Sequence, residues 1–175
     1  MQPYPDSNNP CHSLCVRCGF CCDGTIFKVV QLDEQDGAGK LALFQITCVE
    51  GRFYFPQPCF AFDRIRGCRI YGTRPVKCRN FSCKLLSQLK NRQLTLQKAI
   101  DLTERARELR NALLKESARH NIDRKFFLNT RMLVDHIESN LPCRNKINRY
   151  EDVHLRCADF SAYLRTYFMK ERPAD

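Results

Sequence analysis

Four cysteines fall within eight residues, in the run CVRCGFCC at positions 15–22, a C-x2-C-x2-C-C cluster. Core packing alone rarely collects thiols at that density. The C-x2-C spacing lets a chain bend round one metal, and Gly19 tolerates backbone angles other residues resist, so two sulfurs converge in a knuckle. An ideal helix would also present Cys15, Cys18, Cys21 and Cys22 together, within an arc of about 120°. Both shapes are compatible with the spacing. Cys21 and Cys22 are adjacent, and in an extended segment neighbouring side chains point to opposite sides. Two metals or a multinuclear site follow more naturally than one ion; the other reading leaves one of the pair a buried free thiol.

The whole chain carries 12 cysteines in 175 residues. The first fourteen residues, MQPYPDSNNPCHSL, offer no basic start, apolar run or small-residue cleavage site. No stretch approaches the roughly 20 apolar residues that cross a bilayer. A cytoplasmic protein without a membrane segment is the expectation, and in a reducing compartment clustered thiols read as metal ligands before disulfides.

A second group follows in PCFAF, CRIY and RPVKCRNFSC, with Cys59, Cys68, Cys78 and Cys83. Pro75 suits the first turn of a helix. Cys78 would follow within that turn, where unpaired backbone N–H groups and Arg74, Lys77 and Arg79 favour a thiolate. Cys78 and Cys83 stand about 140° apart on an ideal helix, so they serve different sites or the helix breaks between them. Two sites are the preferred reading.

Together CVRCGFCC, PCFAF and CRIYGTRPVKCRNFSC resemble the YkgJ-type cysteine-cluster family of zinc- or iron-chelating domains. The resemblance spans residues 15–83. It implies Cys15, Cys18, Cys21, Cys22, Cys59, Cys68, Cys78 and Cys83 as metal ligands, with Tyr71, Arg74, Pro75 and Arg79 as companions. The pattern is also similar to that of flagellin lysine N-methylases, which are larger, and no glycine-rich cofactor loop occurs here.

All-thiolate ligation suits zinc or an iron–sulfur cluster and sets calcium and magnesium aside. Cys15, Cys18 and Cys21 follow the order of three [4Fe–4S] ligands in bacterial ferredoxins, although the closing C-P is missing. The later spacings of nine, ten and five residues do not form a zinc ribbon's second C-x2-C, so iron–sulfur is preferred over zinc. Arg66, Arg69, Arg74, Lys77 and Arg79 would offset the thiolate charge.

Outside the pattern, Cys48 and Cys157 read as packing residues, and Cys11 with His12 lies close enough to be a spare ligand. Cys143 carries no assignment. His120, His136 and His154 lack an H-E-x-x-H setting and read as surface or satisfied core residues. Asp23 before Gly24 reads as a turn former.

Net charge is +10, with 29 Lys+Arg and 19 Asp+Glu. Eight thiolates and two dications would lower it to about +6. Residues 1–83 hold 10 basic and 7 acidic groups and residues 84–175 hold 19 and 12, so no segment is a dense basic arm. A charged, solvated surface accounts for this, and nucleic acid is a weak partner class.

The fold expected is α+β: a small antiparallel sheet with Cys-rich metal-binding loops, then a packed helical C-terminal half. One domain is expected over 1–175, with a cysteine-cluster region at 11–83 and a helical region at 84–175. Ile26 to Leu32 and Leu41 to Val49 read as strands, DEQDGAGK between them as a hairpin connection, Glu50-Gly51 as a turn and Arg52 to Phe55 as a third strand. Ala99, Leu102, Ala106, Leu109 and Leu113 share one face of the longest helix. Asp123 caps a second helix reaching about Ser139, stopped by Asn140, Leu141 and Pro142; Val153, Cys157, Phe160, Leu164 and Phe168 mark a third.

Three functions compete. The first is a metal-binding cysteine-cluster protein, iron–sulfur by preference, with about eight thiolate ligands. The second is a structural zinc module acting on a protein partner through the helical half, or on nucleic acid with Tyr150, Tyr163 and Tyr167 stacking. The third is a metal-dependent enzyme acting on a protein side chain.

Overall fold

The computed structural model describes residues 9–37, 44–139 and 150–170. Its contacts divide into two units, Met1–Ser82 and Cys83–Asp175. The fold is α+β, 55% helical and 10% strand, with most of its helices in the C-terminal half.

The first unit opens with helix α1, Pro10–Cys18. Asn9 caps it by accepting hydrogen bonds from the Cys11 and His12 amides at 2.9 and 3.4 Å. Gly19 ends it at φ 68°, a left-handed conformation glycine adopts without a side-chain penalty. Three short strands follow: β1 Val29–Gln31, β2 Thr47–Val49 and β3 Arg52–Pro56. The sheet is antiparallel in the order β1-β3-β2. Val30 faces Phe55 and Cys48 faces Phe53.

The Glu50-Gly51 turn forms as expected, but DEQDGAGK is no hairpin, because β3 lies between β1 and β2. Residues 38–43, in that connection and at the start of the second expected strand, lie outside the described residues. The sheet packs Leu32, Phe44 and Phe55 into a small core, against which Val30, Ile46, Cys59, Ile70 and Cys78 rest. A second ladder joins β4 Phe62–Asp63 to β5 Gly67–Cys68. A 3-10 turn, Tyr71–Thr73, leads to the short helix α2, Val76–Asn80.

The second unit is helical: α3 Lys84–Lys90, α4 Leu96–Arg119, α5 Thr130–Ser139 and α6 Glu151–Tyr167. Ala99, Ala106 and Leu113 are fully buried on α4, while Leu102 and Leu109 are half-buried beside the stripe. Thr103 and Ser117 complete the buried face, Thr103 by returning its hydroxyl to the Ala99 carbonyl at 3.0 Å. On α6, Val153, Cys157, Phe160 and Leu164 are buried as their spacing predicts, and Phe168 follows at its end.

The expected second helix is two pieces. Asp123 caps only a 3-10 turn, Arg124–Leu128, and buried Asn129 then caps α5 by accepting from the Met132 amide at 3.0 Å. The expected stop at residues 140–142 lies outside the described residues. None of the described helices is long and apolar enough to cross a membrane.

Candidate metal centre

Backbone hydrogen bonds link three of the expected ligands. After Gly19 the chain turns tightly, with the Cys22 amide donating to the Gly19 carbonyl at 2.8 Å. The Cys22 carbonyl accepts the Cys59 amide at 2.7 Å, and the Cys59 carbonyl accepts the Phe62 amide at 2.9 Å. Phe62 pairs with Cys68 across the β4–β5 ladder. Segments far apart in sequence are therefore tied together by obligatory backbone donors and acceptors.

Two glycines seat α1 on this ladder. A Cβ on Gly19 would lie 2.3 Å from the tip of the Phe62 ring. One on Gly67, whose φ is 75°, would lie 3.0 to 3.2 Å from Val16. Close approach of helix and hairpin requires both positions to lack a side chain.

Cys78 arrives on α2, whose first turn is held by Asp36. This buried carboxylate accepts from the Val76 amide at 3.0 and 3.3 Å with its two oxygens, and from the Asp33 amide at 3.1 Å. Nearby, Lys77 and Asp33 approach to 3.9 Å. The capping partner stands 40 residues from the helix it caps, so no local capping pattern announces it.

The thiols of Cys22, Cys59, Cys68 and Cys78 all lie within electrostatic reach of one another: each of their six pairings raises the thiol pKa of a member. Burial is the largest cause in all four, pushing Cys78 up to about 12 and Cys22 higher still. At Cys78 desolvation outweighs the helix terminus, so the expected thiolate depends on a compensating cation. Arg74 opposes the shift at Cys68 and Cys78, and Arg69 opposes it at Cys59. Arg66 and Arg79 are exposed.

Cys22, Cys59, Cys68 and Cys78 are free thiols. Among the described residues no three His, Cys, Asp or Glu groups are close enough together to hold a single ion as they stand. The donor chemistry nevertheless fits a thiophilic metal. Four half-buried thiols give up their protons once a cation compensates the thiolates.

The other expected ligands sit differently. Cys15 and Cys18 lie on α1, and Cys21 lies in the turn after it, so the run is a helix end followed by a turn. The helix does break between Cys78 and Cys83, at Phe81, whose φ of −70° and ψ of 130° are extended. Cys83 belongs to the second unit, where its sulfur caps α3 by accepting from the Leu86 amide at 3.3 Å.

Outside the pattern, Cys157 is buried as expected, whereas Cys48 is exposed on β2 and does not pack. All three residues of that edge strand are exposed, so its apolar sequence has no core to face. Cys143 lies outside the described residues. Asp23 accepts the Thr25 amide at 3.0 Å, forming the expected turn. His120 approaches Glu116 at 3.5 Å, and His136 stacks on Phe126 at 4.1 Å. Tyr163 donates to the Leu102 carbonyl at 3.3 Å and contacts Tyr167, which supports a covering role for these rings.

Residues 14–100, half of the chain, match the CxxCxxCC family, described as "Putative zinc- or iron-chelating domain". No curated protein and no solved structure matches the chain. The matched segment contains every cysteine of the four-thiol group, Arg74 and both seating glycines; by it the chain belongs to the CxxCxxCC, or YkgJ-type, family of zinc- or iron-chelating domains.

Proposed function

We propose that the protein is an iron–sulfur protein whose principal centre is held by Cys22, Cys59, Cys68 and Cys78. The observation that carries this reading is the mutual approach of four half-buried thiols from four separate segments. A single zinc bonded at about 2.3 Å would draw its sulfurs to within about 4 Å of each other. The C-x2-C-x2-C order of Cys15, Cys18 and Cys21 and the lack of a second C-x2-C among the later cysteines favour cluster chemistry over a ribbon-type zinc site. Bound there, a cluster would supply one-electron redox chemistry.

The chain's own residues set the environment. Leu32, Phe44 and Phe55 pack against Cys59 and Cys78 and limit their contact with water, and Arg69 and Arg74 offset thiolate charge. Of the remaining expected ligands, Cys15, Cys18 and Cys21 belong to a second site and Cys83 to a helix cap. A cytoplasmic location accords with this chemistry, since a reducing compartment keeps thiols available.

Anaerobic purification followed by an absorption spectrum with iron, sulfide and zinc analysis tests the reading. A brown protein containing iron and sulfide is expected, because sulfur-to-iron charge transfer is coloured. Colourless protein with zinc would replace the cluster by a structural zinc centre, and absence of both metals would refute the site.

A further inference from the structure

Cys11 lies outside the segment that matches the family, which begins at residue 14. The cap from Asn9 places it within the first turn of α1 rather than in a lead-in loop. At about 100° per residue, Cys11, Cys15 and Cys18 then share one face within about 60°. That face runs between Leu14 and His12, both buried, while the three thiols remain half-buried.

Contacts from outside the helix mark the same face. The His12 ring meets Tyr71 edge-on at 4.2 Å between centroids. Arg74 sits over the Tyr71 ring at 3.5 Å and donates to the Tyr71 carbonyl at 2.8 Å.

We propose that Cys11 and Cys15, one turn apart on α1, are paired ligands of a second thiophilic metal site, distinct from the centre at Cys22, Cys59, Cys68 and Cys78. Residues four apart on a helix hold their Cβ atoms about 5–6 Å apart, within reach of one ion. Cys18 lies on the same face and Cys21 in the following turn. On binding, each thiol releases its proton to solvent as its sulfur bonds the metal. The inference rests on the reading of the protein as a metal binder, and adds a ligand that the family pattern lacks.

Differential alkylation tests it. The full chain, isolated anaerobically, is treated with iodoacetamide as purified, after chelation, and after addition of zinc(II), and each cysteine's modification is mapped by mass spectrometry. Metal should slow modification of Cys11 and Cys15 at least about tenfold, because a metal-bonded thiolate is no longer a free nucleophile. Exposed Cys48 should react alike in all three samples. Protection of Cys22, Cys59, Cys68 and Cys78 without Cys11 would overturn this inference and leave the main centre standing; protection of none would overturn both.

Cys11→Ser supplies the complementary readout. Bound zinc at saturation should fall by one equivalent while Cys22 stays protected. An unchanged metal count would give Cys11 a structural role only, and overturn the proposal.

Discussion

The five strands of the first unit are three, three, five, two and two residues long, whereas one helix of the second runs for 24. Among the described residues the first unit buries seven hydrophobic side chains and the second fifteen. Burial of apolar area is the main favourable term in folding, so the helical unit carries its own stabilisation and the cysteine unit falls short of it. Small domains in that position recruit covalent or metal cross-links. Two of the first unit's four interacting thiols, Cys59 and Cys78, pack directly against its Leu32, Phe44 and Phe55 cluster.

The largest effect should come from the centre itself. Cys78→Ser should weaken metal binding by more than about 100-fold, since even outer partners of metal ligands are worth 10–100-fold. Cys83→Ser should retain metal, because serine preserves a capping acceptor for the Leu86 amide. Metal analysis of the two purified variants checks the pair; equal losses would return Cys83 to the ligand set. Next, Phe160→Ala on α6 should cost about 3–5 kcal/mol in denaturant unfolding of the helical unit, as its ring is fully buried, with no change in metal content.

The contrast also explains what could be read in advance. The buried stripes of α4 and α6 were legible because helix burial repeats every three or four residues, and Ala99, Ala106, Leu113 and Phe160 fall on that period. The thiol positions were legible from spacing. Their grouping was not: Cys22, Cys59 and Cys68 are tied by backbone bonds and a β ladder between distant segments, Cys78 rests on the Leu32, Phe44 and Phe55 core, and local pattern carries no record of such pairing. The cap from Asp36 onto α2 and the order β1-β3-β2 escaped for the same reason. Asn129 is different, being a capping residue in plain sight that Asp123 obscured.

Smaller effects sharpen the comparison. Gly67→Ala should cost about 1–2 kcal/mol through its positive φ, more if Val16 does not yield, and should lower metal affinity by unseating α1. Thermal unfolding with and without metal checks both parts. In the second unit burial pushes the Cys157 thiol from 9.0 up to about 11. Below pH 9 that thiol is protonated in folded and unfolded chains alike. Between pH 9 and 11 the unfolded chain releases the proton first, so stability falls as pH rises. Cys157→Ala should flatten that slope in urea unfolding measured across the range, with little change in metal content at neutral pH.

Hydrogen exchange followed by mass spectrometry, on the metal-loaded chain and after chelation, tests the division of labour most directly. Amides of β3, the β4–β5 ladder and α2 should lose protection when metal is removed, while those of α4 and α6 keep theirs. Unchanged protection throughout the first unit would contradict the account, because that unit would then stand without its metal.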